Sequence, residues 1–150
     1  MSFEPIDEKT DWGEAARGLQ VRIAAVETNQ PPIVSLEIRN AGVPETHAGS
    51  AQLFPHLVLE AERNGWVKEV DIKLDIPNRV WIRKDETFNT KVRIDRWLDV
   101  EQPGVHTISL GHRNHMISDI GDWFGDVRSP PLKIRVTRKN LNPPPNKRKN

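Results

Sequence analysis

Residues 57–70 read Leu57-Val58-Leu59-Glu60-Ala61-Glu62-Arg63-Asn64-Gly65-Trp66-Val67-Lys68-Glu69-Val70. Asn-Gly between two β-rich runs is the strongest short-range hairpin signal. The two-residue turn that matches strand twist needs positive φ at both central residues, and Asn and Gly tolerate it best. This stretch therefore predicts two antiparallel strands. A strict two-residue turn would set Glu60 opposite Glu69, and like charges directly opposite destabilise a sheet. A bulge or a shift of register is expected there.

Outward from the hairpin the same period-2 pattern recurs. Leu19-Gln20-Val21-Arg22-Ile23 alternates apolar and polar, with Ala25 continuing the apolar phase. Val34 to Arg39 alternates cleanly and stops at the turn residues Asn40-Ala41-Gly42. Val80-Trp81-Ile82 is short. Phe88, Thr90, Val92 and Ile94 share one face, as do His106, Ile108 and Leu110. Leu132 to Val136 alternates and closes the series. Helix periodicity is absent apart from one short turn expected around Glu14–Arg17. Strands with one wet face predict two antiparallel sheets packed on each other, an all-β sandwich of about seven to nine strands. A small barrel is the alternative closure.

The chain has 150 residues and a formal net charge of +1, a length that predicts one domain. The boundaries expected are an irregular head over 1–17, the sandwich over 18–138 and a flexible tail over 139–150. The tail, with Pro143-Pro144-Pro145 among polar residues, favours polyproline II and disorder. The near-neutral charge is a cancellation. Lys133, Arg135, Arg138, Lys139, Lys147, Arg148 and Lys149 put +7 into the last eighteen residues, leaving −6 for the rest. The opening residues lack a basic n-region and an apolar h-region, so no secretory signal is read. No stretch reaches the ~20 apolar residues needed to span a bilayer. A cytoplasmic location is expected if Met1 is the native start.

Three stretches carry a family resemblance. VSLEIRN over 34–40 resembles the strand ending in Arg-Asn of bacterial immunoglobulin-like domains. The hairpin 57–70 and the Pro103-Gly104 lead-in to Val105–Leu110 are similar to the corresponding parts of those domains, and SPPLKIRV over 129–136 looks like their last strand. Related sandwiches occur in modules similar to intracellular proteinase inhibitors. The resemblance covers roughly residues 18–137 and implies a non-enzymatic module that binds, inhibits or spaces. Where such domains usually carry a corner tyrosine, this chain has His106, whose imidazole can offer a similar hydrogen bond.

Cysteine is absent, so disulfides, thiolate metal sites and cysteine nucleophiles are excluded. No serine sits in a nucleophile elbow and no glycine-rich phosphate loop exists. His106, His112 and His115, with Asp119 and Asp122, are the one candidate metal cluster, since zinc needs three or four convergent ligands. On a strand, a spacing of three puts His112 and His115 on opposite faces, so the bland reading is loop and corner histidines. Asp119, Asp122 and Asp126 lack the dense spacing of a calcium loop. No cofactor is called for.

The tryptophans remain. Trp66, Trp81 and Trp97 lie on or beside predicted strands and supply candidates for the core. Trp12 is placed to pack the head onto the sandwich. Trp123 and Phe124, between Gly121 and Gly125, are either an exposed partner anchor or a plug for one end of the sandwich. The tail residues Lys139, Lys147, Arg148 and Lys149 suit an anionic surface. Without interleaved aromatics they argue against specific nucleic-acid recognition. The expectation is a protein-interaction or structural module, part of a larger assembly and without a small-molecule substrate. It acts through the loops 41–56 and 111–131, with Trp123, Phe124, His112 and His115 as contact residues. A proteinase-inhibitor-like domain and a metal-binding enzyme or sensor are the alternatives.

Overall fold

The computed structural model describes residues 2–27, 32–43, 50–96, 103–116 and 121–137. Among the described residues there is no helix, and eleven strands are formed, more than the pattern predicts. In chain order they are β1 (Ser2–Pro5), β2 (Leu19–Glu27), β3 (Ile33–Asn40), β4 (Ala51–Leu53), β5 (His56–Arg63) and β6 (Trp66–Lys73). Then follow β7 (Val80–Ile82), β8 (Thr87–Arg93), β9 (Gly104–Asn114), β10 (Gly125–Arg128) and β11 (Leu132–Thr137).

All pairings are antiparallel. The largest sheet runs β1-β11-β9-β5-β6. Strand β9 is long enough to take β11 beside its first half and β10 beside its second. A second sheet has the order β2-β3-β8, and β4 pairs with β7. The inward residues of all three meet in one core. Leu19, Leu36 and Ile38 come from the second sheet; Leu59, Ile108, Leu110, Leu132 and Ile134 come from the first; Leu53 and Ile82 come from the third. Each such side chain contributes about 1.5–3 kcal/mol of transfer free energy, which holds the sheets together.

The alternation read from sequence is met on β3, β9 and β11, where buried residues recur at every second position. It breaks once. A bulge between Ile23 and Ala25 shifts the register of β2, so Ala25 pairs with Ser35 on the outer face and Val26 takes over the inward phase beside Val34.

Three local expectations are corrected. First, the hairpin 57–70 has no bulge. Asn64 (φ 52°) and Gly65 (φ 84°) form a strict two-residue turn, and Glu60 does face Glu69. Second, the turn near Glu14–Arg17 is not helical. Arg17 (φ 43°) and Gly18 (φ 84°) reverse the chain, closed by Ala16 N–H to Leu19 O (2.9 Å) and Leu19 N–H to Ala16 O (3.0 Å). Third, the head is not wholly irregular, because β1 adds to the edge of β11 and buries Phe3. Four residues ending in proline carry no readable period; the pairing comes from the exposed ladder of β11. The expected tail 139–150 lies outside the described residues.

Asn40 shows why the chain turns after β3. It is fully buried; its Oδ1 accepts from Gly42 N–H (2.9 Å) and Val43 N–H (3.0 Å), and its Nδ2 donates to Ile82 O (2.9 Å). One amide both forms the turn and ties β3 to β7.

Candidate functional site

Of the residues singled out from sequence, His112, Trp123 and Phe124 lie at one end of the fold, while His106 lies toward the other. His112 lies on β9, whose inward phase also buries His106, Ile108 and Leu110. It is 1% exposed. Its Nδ1 lies 3.0 Å from His56 O, an acceptor, so Nδ1 carries the proton and Nε2 presents a bare lone pair. Nε2 is buried without a hydrogen-bond partner among the described residues. Burial drives the His112 pKa down to about 4; the bond to His56 O opposes this only in part. The ring is therefore neutral at pH 7.

Around it stand His56 (ring centroids 5.1 Å) and Trp123 (5.9 Å). Trp123 is 6% exposed, and its Nε1 donates to Arg17 O (3.1 Å). It plugs this end of the core and offers no surface to a partner. Phe124 is half-buried beneath the Arg17 guanidinium, 3.8 Å from its centroid. The anchor reading of this pair is thus corrected for Trp123. The preceding residue, Asp122, has a fully buried side chain that accepts from Gln52 Nε2 (2.8 Å) and Arg79 Nε (2.8 Å). Asn114 Nδ2 donates to Trp123 O (3.0 Å). This network closes this end of the core by pairing the buried polar groups of Asp122, Gln52 and Asn114.

His115 is exposed on the opposite side of β9 from His112, as the spacing of three requires. Among the described residues no group of three or more His, Asp or Glu is arranged to hold a metal, and Asp119 lies outside them. The expected contact loops are shorter than sequence suggests. Loop 41–56 contains the buried strand β4, and loop 111–131 contains the end of β9 and all of β10.

The like-charge pair in the hairpin is resolved from another strand. Arg128 on β10 reaches Glu60 through Nη1 (3.0 Å) and Glu69 through Nη2 (3.3 Å). Arg113 on β9 also binds Glu69, and this hydrogen bond holds the Glu69 carboxyl below the usual carboxylate range. Two arginines from outside the hairpin let it keep the tight register. No bulge is needed.

At the opposite end the hairpin leaves apolar surface in water. Trp66 is 79% exposed and Val67 60%. Of the three tryptophans offered as core candidates, neither Trp66 nor Trp81 is buried, and Trp97 lies outside the described residues. Trp12, as expected, packs the head down, its ring held between Arg22 (4.4 Å) and Arg39 (4.2 Å).

Register explains the hairpin surface. Leu57 pairs with Ile72 and Leu59 with Val70 on the core face; Ala61, opposite Lys68, is the last core residue, and Arg63 with Trp66 continue that face beyond it. Ala61, Glu62, Arg63, Trp66, Lys68 and the buried His106 are among the residues that line a concavity of about 420 Å³. Ala61 has the smallest side chain in this set and forms the depression; indole, guanidinium and ammonium groups form its rim. Strand β6 ends the sheet and, among the described residues, pairs with β5 alone. Sequence reading misses this surface because residue type alone sends Trp66 to the core. The available signal is its place directly after a turn, on a strand with four charged residues.

No protein family, no curated protein and no solved structure matches the chain.

Proposed function

We propose that the protein is a non-catalytic interaction module of immunoglobulin-like sandwich type that engages a protein partner through the β5–β6 hairpin. The observation that carries the reading is the edge strand β6, with Trp66 and Val67 in water on its two faces. Exposed indoles are favoured anchors at interfaces, and a free strand edge offers a row of backbone donors and acceptors. The sandwich assignment is supported by antiparallel sheets sharing one core, by the turn at Asn40 and by the hairpin at Asn64-Gly65. The contact surface moves from the end loops to the hairpin because Trp123 is occupied in closing its own end.

The test is affinity capture from lysate of the encoding organism with wild-type protein and with the Trp66→Ala/Val67→Ala double variant. The expected result is a discrete protein partner, reduced at least about tenfold by the double variant, at an unchanged melting temperature. Equal recovery by both proteins would overturn the hairpin as the surface.

A further inference from the structure

Asn64-Gly65 is the only Asn-Gly pair in the sequence. Glycine has no side chain to hinder attack by its own backbone nitrogen on the side-chain amide of the preceding residue. The pair sits at the exposed tip of the hairpin, and a Cβ built on Gly65 meets nothing within 4 Å. Among the described residues, no neighbouring chain shields this backbone from solvent.

Two features of the fold hold the reaction back. The first is the turn itself. Asn64 has φ 52°, a region where sterics confine ψ to about +30 to +60°. At such a ψ the Gly65 nitrogen lies anti to the Asn64 Cβ, as far from Cγ as rotation about the Cα–C bond allows. Attack needs ψ to turn through nearly half a circle, and that opens the two-residue turn. The second feature is Glu62, whose Oε2 accepts from Gly65 N–H at 2.7 Å. The nitrogen attacks only once stripped of its proton. A carboxylate beside it both holds that proton and repels the anion left behind.

We infer that Asn64 is a latent deamidation site, gated by opening of the hairpin turn and guarded by Glu62. In the opened turn, hydroxide takes the Gly65 amide proton and the nitrogen bonds to Asn64 Cγ. The Cγ–Nδ2 bond breaks, ammonia leaves with a proton from water, and a five-membered succinimide remains. Water opens this ring at either carbonyl, giving an aspartyl or an isoaspartyl residue. The sum is one water consumed and one ammonia released. The isoaspartyl product runs the main chain through the former side chain, one methylene longer. The tight turn that sets Arg63 opposite Trp66 is then lost. The site stands whether or not the hairpin binds a partner.

The test incubates the full chain, its Glu62→Gln variant and a synthetic peptide of residues 61–67 in mildly alkaline buffer. Conversion at Asn64 is followed by mass spectrometry of proteolytic fragments. The peptide carries the same sequence, Glu62 included, without the folded turn. Conversion in the folded wild type is expected to be at least about tenfold slower than in the peptide. Glu62→Gln, which keeps the size of the side chain and removes its charge, should convert about fivefold faster than wild type. Should circular dichroism show the variant unfolded at the assay temperature, the comparison is made at a lower temperature where it is folded. Equal rates in wild type and peptide would overturn gating by the turn. A Glu62→Gln rate equal to or below that of wild type would overturn the guard. No conversion in either protein after the peptide has fully converted would overturn the site itself.

Discussion

Lowering the pH should destabilise this protein through one imidazole. His112 is buried with its Nδ1–H on His56 O, and its pKa falls from 6.5 to about 4 in the folded chain. The unfolded chain keeps the ordinary value. Between those two pH values the unfolded state binds a proton that the folded state refuses, so stability falls as the solution is acidified. The stabilisation is fully present above pH 6.5 and lost progressively towards pH 4. A tenfold difference in proton affinity between the two states is worth about 1.4 kcal/mol, so going from pH 7.5 to 4.5 removes about 2–3 kcal/mol through this group alone. That is a large part of an ordinary domain's 5–15 kcal/mol. The assay is urea unfolding, followed by circular dichroism at several pH values, of wild type and His112→Gln. The glutamine amide can still donate to His56 O but does not titrate. Carboxylates held by arginines, such as Glu69 beside Arg113 and Asp95 beside Arg93, lose their pairing in both proteins and cancel in the difference. The variant should lose about 2–3 kcal/mol less than wild type over this interval. If the two curves run parallel to within about 0.5 kcal/mol, His112 does not reside in the folded protein as a buried neutral imidazole.

Other substitutions probe the same architecture. Asp122→Ala strips Arg79 and Gln52 of their shared acceptor and is expected to cost about 2–4 kcal/mol in urea unfolding; a loss below about 0.5 kcal/mol would show that the end network contributes nothing. Arg128→Ala should lower the melting temperature by leaving Glu60 facing Glu69, and Glu69→Gln added to it should restore part of the loss. No recovery in the double variant would refute charge relief as the role of Arg128. Gly65→Ala, at φ 84°, should destabilise by about 1 kcal/mol or more in chemical unfolding; an unchanged midpoint would contradict the tight turn. Trp66→Ala should leave stability within about 0.5 kcal/mol of wild type in the same assay, because its ring is in water.

Much of the fold was legible because local rules and the final structure agree. The alternation in β3, β9 and β11 marks the core-facing residues one by one, and Asn64-Gly65 places a turn that the backbone adopts. Of the short strands only β7 showed in the sequence; β1, β4 and β10 escaped, being too short to show a period and forming only because a partner ladder is already in place. The tryptophans misled for a related reason. Size and apolarity favour burial for Trp66 and Trp123 equally; only the neighbours each residue meets separate them.

By itself the sequence determined the local conformations: where the chain extends, where it turns, and which face of each strand is apolar. Those follow from steric limits on φ and ψ and from a side-chain period of two, both properties of contiguous residues. Tertiary structure decided the rest. Glu60 opposite Glu69 reads as a fault in the hairpin alone and becomes tolerable only when Arg113 and Arg128 arrive from 44 and 59 residues further along the chain than Glu69. His112 is an ordinary imidazole in the sequence and a neutral buried one in the fold, because desolvation belongs to the surroundings and not to the residue. The exposure of Trp66 likewise depends on which strand ends the sheet, which no stretch of contiguous sequence contains.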